Sequence, residues 1–194
     1  MRPLGTVVRL QIQRSSLKTG VAPQRRYDPE PILAVGQLAV APDGVFGFEP
    51  QRGWIVDIHH RAHPATKNPD GQNGISLGFT GHYDAMRERF GDRIELGCAG
   101  ENVIVARPGR ITLEDLLGGV AVVTAAGEEV VRLVVLDVAH PCRPFTGWAL
   151  GAIVENDVLK AQLQFLDGGM RGFLCTAEKT GTISVGDQIL ALNG

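Results

Sequence analysis

The sequence is short of cysteine, and this shortage argues against several classes of protein. Its 194 residues include three cysteines, which lie far apart and form no Cys-x-x-Cys pair. This spacing argues against a disulfide framework, a structural zinc cluster and an iron–sulfur segment, and it favours a reducing compartment. We therefore expect a cytoplasmic protein.

Membrane and secretion signals are missing as well. No uninterrupted apolar run reaches the roughly 18 residues that a transmembrane helix needs. The opening segment, 1–13, alternates like a β-strand and lacks the charged start and long apolar core of a signal peptide. We expect no membrane partner.

An excess of charge of either sign is also absent. The chain has 19 Lys and Arg residues against 21 Asp and Glu residues. A protein whose whole surface binds a polyanion is strongly basic, so we expect no nucleic-acid partner. A local basic pocket is compatible with this balance.

Glycine and proline are abundant, which suits a fold with many turns and short strands. There are 25 glycines and 11 prolines. Helices are predicted at 82–90, with Thr80 as the cap residue and Gly91 as the stop residue, and from a cap at Asp157 to Leu166. Short apolar or alternating segments predict strands at 6–11, 31–40, 54–58, 103–105, 120–124, 130–138, 172–175, 181–185 and 188–192. Since no repeat or linker interrupts this pattern, we expect one mostly β domain over 1–194 with a few peripheral helices.

Cys142 has the neighbours of a reactive thiol. It follows the predicted strand 130–138, with Arg143 beside it and His140 two positions before it. A thiol acts as a nucleophile or a metal ligand only as its thiolate, and adjacent cations favour that form. The prolines on either side of Cys142 and Arg143 stop the strand, which would present the sulfur at a rim.

The other two cysteines lack such neighbours. Cys98 lies among small residues, and Cys175 falls within an apolar strand, so we expect both to be packed in the interior. The same interpretation is the alternative for Cys142, because free thiols are among the most buried side chains.

The segment around Cys142 is one of several that resemble a known family. The run 138–145 resembles the cysteine motif of MOSC domains, the module at the carboxyl end of molybdenum cofactor sulfurases. Other similar segments occur in the family's order: 7–20 with its Lys-Thr-Gly ending, the histidine loop 57–60, the helical pair 82–83, the Gly-Glu-Asn segment 97–103, and the closing segments 171–173 and 181–187. Together they cover nearly the whole chain. The chain departs from the family in the histidine loop, where Arg61 and Ala62 replace the usual glycines after His60.

The resemblance implies a MOSC-type β-barrel with a functional cysteine. In that family the cysteine either ligates molybdenum or receives sulfur as a persulfide. A soft thiolate suits molybdenum or sulfane sulfur better than a hard oxygen ligand does. The implied cofactor is molybdenum cofactor (molybdopterin), which carries a phosphate or a nucleotide, so its pocket should supply cations and backbone donors.

The candidate cofactor-binding residues are loop cations beside these motifs and polar residues within them. The cations are Arg14, Lys18, Lys67 and Arg143. Glu101 and Asn102 begin a strand and could orient the pocket, because an amide both donates and accepts hydrogen bonds. Asn102 could equally tie down the preceding glycine turn. One member of the histidine loop, His60, is expected to line the pocket.

Three histidines close together also suggest a zinc site. The spacing of His59 and His63 would suit a helix, but Pro64 disfavours a helix there. No acidic or cysteine partner with ligand spacing follows nearby, so a metal site at these histidines stays an open alternative. Asp57 could orient either His59 or His60.

The leading hypothesis is a protein that binds molybdenum cofactor through Cys142. It is either a reductase of N-hydroxylated compounds, assisted by electron-transfer proteins, or a carrier that passes sulfur to other molybdoenzymes. The chain has no aminotransferase-like segment that would mobilise sulfur with pyridoxal phosphate. Either variant therefore needs an electron-transfer or a sulfur-donor partner.

Two alternatives come from other classes of protein. One is a non-enzymatic β-barrel that binds a different small anion and does not need Cys142. The other is a cysteine hydrolase, which needs an imidazole from His140, His82 or His60 within hydrogen-bond reach of the sulfur, together with oxyanion donors.

Overall fold

The structure, a computed structural model, describes residues 1–152 and 154–192. Strands make up 38% of the chain and helices 17%, which confirms the mostly β prediction. The strands are β1 (Arg2–Gln13), β2 (Lys18–Thr19), β3 (Arg26–Tyr27), β4 (Ile32–Val35), β5 (Gln37–Ala41), β6 (Gly44–Glu49), β7 (Gly53–Val56), β8 (Ile75–Phe79), β9 (Val103–Ala106), β10 (Val120–Val123), β11 (Glu129–Val138), β12 (Phe173–Lys179), β13 (Gly181–Ser184) and β14 (Gln188–Ala191). The helices are α1 (Thr80–Phe90), α2 (Arg143–Leu150) and α3 (Asn156–Leu166).

Seven strands close into a barrel. Around the barrel they follow the order β1, β9, β8, β12, β11, β10, β14, and β14 pairs again with β1. The β8–β9 pair is parallel, and the other pairs are antiparallel. The predicted β-barrel is therefore confirmed.

The long first strand makes this closure possible. Its first half pairs with β14, its middle with β9 and its second half with β4. The register shifts between Pro3 and Gly5 and again between Val7 and Arg9, and such bulges bend a strand and increase its twist. Strand β1 can thus pair with three other strands along the curved sheet.

Apolar side chains from every wall fill the barrel. Alternate residues of a strand point to opposite faces, so each strand sends one set of side chains inward. Completely buried examples are Val7, Leu10, Ile12, Leu77, Val105, Val122, Phe173 and Ile189. A second sheet, in the order β13-β5-β6-β7, and the short hairpin β2-β3 lie outside this barrel sheet.

The helices pack on a second apolar cluster outside the barrel. Tyr83 and Met86 of α1 are completely buried there, together with Phe145 of α2 and Leu166 of α3. The predicted boundaries of α1 and α3 are correct to within two residues, whereas α2 was not predicted. No helix among residues 1–152 and 154–192 is long and apolar enough to cross a membrane.

Candidate functional site

Cys142 lies at the start of helix α2, directly after the strand that carries its motif. Its backbone is extended, with φ −131° and ψ 146°, and it is the residue that precedes the helix. Its carbonyl oxygen accepts hydrogen bonds from the backbone N–H and the hydroxyl of Thr146, both at 3.0 Å. The thiol is partly buried, and the positive end of the helix lies next to it.

Arg171 is the cation that contacts the Cys142 sulfur. Its Nη1 lies 3.6 Å from Cys142 Sγ, and its Nη2 donates to the carbonyl oxygen of Ala99 at 2.8 Å. The guanidinium carbon stacks 3.9 Å from the ring centre of Phe145, and only 9% of the residue is exposed. These contacts fix the guanidinium beside the sulfur.

A glycine turn brings Arg171 to Cys142. Gly172 has φ +88°, a value that favours glycine, and its N–H closes the turn on the carbonyl of Gly169. Its own carbonyl accepts a hydrogen bond at 2.9 Å from Ala139, which lies three residues before Cys142. The sequence interpretation did not select Arg171 as a site residue, although its segment 171–173 is one of those that resemble the family.

A cavity of about 560 Å³ opens beside this pair. Arg171 lines it and also contacts Cys142, whereas Cys142 itself is not part of the lining. The other polar side chains of the lining are Gln13, Ser15, Ser16, Lys18, Tyr27, His59, Lys67, Asn73, Ser76, Glu101, Asn102 and His140. We call this space the central cavity. Its volume lies within the range of about 300–1,000 Å³ that is usual for small-molecule sites.

Four of the predicted cofactor-binding residues meet in the central cavity and three do not. Lys18, Lys67, Glu101 and Asn102 are part of its lining. Arg14 pairs instead with Glu30 at 3.1 Å, His60 lies outside the lining, and Arg143 is an exposed residue of the first turn of α2.

Asn102 holds three segments of the cavity wall together. Its Nδ2 donates to the Gln11 carbonyl at 3.2 Å and to Asp57 Oδ2 at 3.1 Å. Its Oδ1 accepts from the backbone N–H and the hydroxyl of Ser76, both at 3.0 Å. Because these bonds use both polar atoms of the amide, the Asn102 side chain has a structural role and cross-links the segments that form the cavity wall.

Glu101 is an interior carboxyl group beneath the cavity. The hydroxyl of Tyr83 donates to its Oε2, while its Oε1 is buried and has no hydrogen-bond partner within the described residues. Burial raises the pKa of Glu101. Beta carbons placed on Gly78 and Gly172 would lie 2.9 and 2.8 Å from Glu101 atoms, so these glycines make room for the side chain.

In the histidine loop, His59 and not His60 reaches the central cavity. Asp57 is completely buried, and its Oδ1 accepts from the backbone N–H of His59 at 2.7 Å and lies 3.0 Å from His59 Nδ1. His60 packs 4.5 Å from the ring of Phe46, its Nδ1 accepts from the N–H of Ala62, and burial lowers its pKa. Asp57 therefore orients His59, which answers a question that the sequence left open.

No group of three or more histidine, cysteine, aspartate or glutamate side chains could hold a metal ion in the described part of the chain. His63, the third histidine of the suggested zinc site, uses its Nδ1 to accept from the backbone of Ala65 at 3.1 Å. The loop histidines are thus engaged in local turns and in the contact with Asp57.

The remaining thiols and imidazoles differ clearly from the Cys142 site. Burial raises the pKa of both Cys98 and Cys175 to about 12. Burial also lowers the pKa of His82 to about 4, and its Nε2 accepts from the N–H of Ile111 at 3.0 Å. His140 lies 3.4 Å from Asp167, and in the part of the chain that the structure describes no imidazole bonds to the Cys142 sulfur. The geometry that a cysteine hydrolase requires is therefore not formed.

Comparison with known proteins identifies a family match and several similar folds. A family model described as MOSC domain matches residues 72–190. The crystal structure of the YuaD protein from Bacillus subtilis is similar with a TM-score of 0.57 and 16% identity, over 95% of this chain and 93% of that chain. The crystal structure of YiiM from Geobacillus stearothermophilus is similar with a TM-score of 0.52 and 17% identity, over 99% and 75% of the two chains.

YiiM from Escherichia coli has the same TM-score, 0.52, with 13% identity over 84% of this chain and 65% of that chain. At these identities the structural similarities establish the fold alone. No curated protein matches the sequence.

Proposed function

Because the chain belongs to the MOSC domain family, we propose that it binds molybdenum cofactor in the central cavity and uses Cys142 as its molybdenum ligand or sulfur-carrying group. The observation that carries this proposal is the pairing of Cys142 with Arg171 at the edge of a cation-lined cavity. A partly buried sulfur next to a fixed cation is suited to bear negative charge.

The residues of the central cavity fit the chemistry of this cofactor. Lys18 and Lys67 supply cations for a phosphate, and Ser15 supplies a hydroxyl group. The Nε of Arg171 is buried and has no hydrogen-bond partner among the described residues, so it is free to donate to a ligand. The sulfur of Cys142 provides the soft donor that molybdenum and sulfane sulfur prefer.

Each residue then has a defined task. Arg171 holds the Cys142 sulfur and stabilises negative charge on it, while Lys18 and Lys67 bind the phosphate end of the ligand. Asp57 keeps the imidazole of His59 at the cavity wall, where it can hold or donate a proton. The cofactor, when bound, supplies a metal centre that changes its oxidation state by two electrons.

The proposal includes two variants that differ in what Cys142 does. In the reductase variant, Cys142 anchors the metal, and an electron-transfer protein supplies the electrons that reduce an N-hydroxylated substrate. In the carrier variant, the Cys142 thiolate attacks the outer sulfur of a donor protein's persulfide. The new S–S bond leaves a persulfide on Cys142, and the donor's cysteine departs as a thiolate.

Metal and sulfur analysis of the purified protein tests the proposal. We expect protein from cells that make molybdenum cofactor to retain molybdenum or to carry one extra sulfur atom on Cys142, and the Cys142→Ala variant to lose both. Cys98→Ala is the matched control, because burial raises the pKa of the Cys98 thiol to about 12, whereas Arg171 contacts the sulfur of Cys142. The measurements are elemental analysis and intact-protein mass spectrometry.

The same experiment separates the proposal from a non-enzymatic barrel. A barrel that binds another small anion would retain its ligand in the Cys142→Ala variant. Wild-type protein with neither molybdenum nor an extra sulfur would contradict both variants of the proposal.

A further inference from the structure

A second cavity, of about 490 Å³, lies on the other side of the loop 96–102, which contains Glu101 and Asn102. It shares no lining residue with the central cavity. Leu96, Gly97 and Cys98 face the second cavity, whereas the next residues, from Ala99 on, face the central one. The loop thus forms a wall between two separate spaces.

One part of this lining is apolar and flat. The indole of Trp148 stacks against the aromatic cluster of α2 and β3, with ring centres 5.4 Å from Tyr27 and 5.7 Å from Phe145. These contacts fix the plane of the indole. Ile32 and Leu96 add aliphatic surface to the same cavity. Such a wall suits a flat organic group, because aromatic faces bind flat apolar surfaces well.

The polar part of the lining contains two cations without an acidic partner. The Nε of Arg9 donates to the buried side chain of Gln11, which leaves the two Nη groups of Arg9 without a hydrogen bond within the described residues. Arg93 forms no ion pair within the same residues, and its guanidinium lies beside Gly151. Arg9 is partly buried and Arg93 is exposed. A guanidinium gains from an anionic partner that accepts from both of its ends.

The two acids of the lining do not balance these cations. Glu30 is already paired with Arg14 at 3.1 Å. Glu95 is then the one acid of the lining that faces Arg9 and Arg93 without a cation of its own. With Arg14 counted, three cations meet two acids at the second cavity, a formal excess of one positive charge, although the whole chain has a formal charge of −2.

We propose that the second cavity is a binding site for a small organic anion with a flat apolar body, such as an aromatic carboxylate. Trp148 packs against the body, and Arg9 and Arg93 bind the acidic group. The site is distinct from the central cavity, because the two linings share no residue.

Tryptophan fluorescence provides the test, because the chain has two tryptophans and one of them lines the site. The variant Trp54→Phe removes the other, exposed indole and leaves Trp148 as the reporter. The probe is 4-nitrobenzoate, whose ring quenches an indole on contact, and its uncharged counterpart is 4-nitrobenzamide. We expect saturable quenching by the carboxylate and about tenfold weaker binding of the amide, as for the loss of a charge-assisted contact.

Substitutions of the cations complete the test. In the Trp54→Phe background, Arg93→Gln and Arg9→Gln should each weaken 4-nitrobenzoate binding by about tenfold. Arg52→Gln, in an exposed turn outside the lining, should leave it unchanged. Circular dichroism verifies that each variant is folded, and Arg93 is exposed enough that its replacement should not affect folding. Quenching that stays linear in probe concentration, that is equal for the amide, or that is equal in Arg93→Gln and Arg52→Gln would overturn the proposal.

Discussion

At the scale of single residues, the contact between Arg171 and Cys142 should control how fast the sulfur reacts. The guanidinium lies 3.6 Å from Sγ and stabilises negative charge there. Replacing Arg171 by Gln should slow alkylation of Cys142 by iodoacetamide about tenfold, as expected when one charge-assisted hydrogen bond is lost. The rate is measured by mass spectrometry of the peptide that contains Cys142.

Arg143→Gln is the matched control for this measurement. Arg143 is next to Cys142 in sequence, but it is exposed, and Arg171 is the residue that bonds to the sulfur. We expect Arg143→Gln to change the rate far less than Arg171→Gln does. Equal effects of the two substitutions would show that general positive charge, and not the fixed contact, governs the sulfur.

His82 should make stability depend on pH. Its pKa falls from 6.5 in the unfolded chain to about 4 in the fold, because burial disfavours the charged form. The unfolded state therefore binds a proton at a higher pH than the folded state does. The contribution of neutral His82 to the free energy of unfolding is fully present above about pH 6.5 and is lost as the pH falls towards 4. Between about pH 7.5 and about pH 5 this group should remove about 2 kcal/mol from the free energy of unfolding.

Urea unfolding of His82→Gln at the same two pH values checks this expectation. The variant should show less loss of stability on acidification than the wild type, by about 2 kcal/mol. The control is His63→Gln, whose side chain lies in a surface turn and should leave the pH dependence as it is. Identical pH dependence in His82→Gln and the wild type would contradict the prediction.

At the scale of elements, the turn before β12 should be the most sensitive backbone feature of the site. Gly172 has φ +88°, and a beta carbon there would lie 2.7 Å from the Leu77 carbonyl and 2.8 Å from a Glu101 carbon. Gly172→Ala should lower the free energy of unfolding by about 3 kcal/mol or more, through backbone strain together with overpacking. It should also slow alkylation of Cys142, because the same turn carries Arg171.

Gly127→Ala separates the backbone strain of a positive φ from the steric clash that a beta carbon would cause at Gly172. Gly127 has φ +83°, yet a beta carbon there would meet no atom within 4 Å. Its substitution should cost about 1–2 kcal/mol from the backbone conformation alone and leave Cys142 reactivity unchanged. Urea unfolding measures both variants, and equal costs would mean that crowding around Gly172 is relieved by movement of its neighbours.

The elements also explain which parts of the sequence could be interpreted. Strands and helices with a clear apolar period were predictable, and α1 ends before Gly91 as expected. Its start was predicted less well, because Thr80, the expected cap, is the first residue of the helix and Phe79 precedes it. Helix α2 was missed because Pro144 was interpreted only as a residue that stops the preceding strand. In fact it occupies the first turn of α2, where its missing N–H costs nothing.

The site was predictable only where local sequence determines position. Lys18 and Asn102 belong to segments next to family motifs, and both line the central cavity. The contact of Arg171 with Cys142 joins residues 29 positions apart and depends on a glycine turn, so no local pattern shows it. The central cavity is lined by His59 and not by the predicted His60 for a similar reason. Strand β7 ends at Val56, and the residues after it form turns, so their side chains do not alternate between two faces.

At the scale of the whole molecule, the barrel closes where the first strand, β1, pairs with the last strand, β14. We call this pairing the seam. Strand β14 pairs with β1 on one side and with β10 on the other, and its Ile189 is completely buried in the barrel core. Residues that close a barrel support pairings on both sides, so loosening β14 should open the sheet beyond that strand. This expectation differs from that for an edge strand, whose loss affects one neighbour.

Ile189→Ala tests the seam. It should lower the free energy of unfolding by about 2–5 kcal/mol, as for other large-to-small substitutions in a core, and hydrogen exchange should accelerate in β1 and β10 as well as in β14. Val185→Ala removes a half-exposed apolar group from the preceding turn and should change stability by less than about 0.5 kcal/mol. If hydrogen exchange in Ile189→Ala accelerates only in β14, the pairing of β14 does not stabilise β1 and β10, and the prediction is wrong. Arg171 and the Cys142 segment are carried by β12 and β11, which follow β10 around the same closed sheet. A barrel opened at the seam should therefore also loosen the contact between Arg171 and Cys142 and slow alkylation of the sulfur.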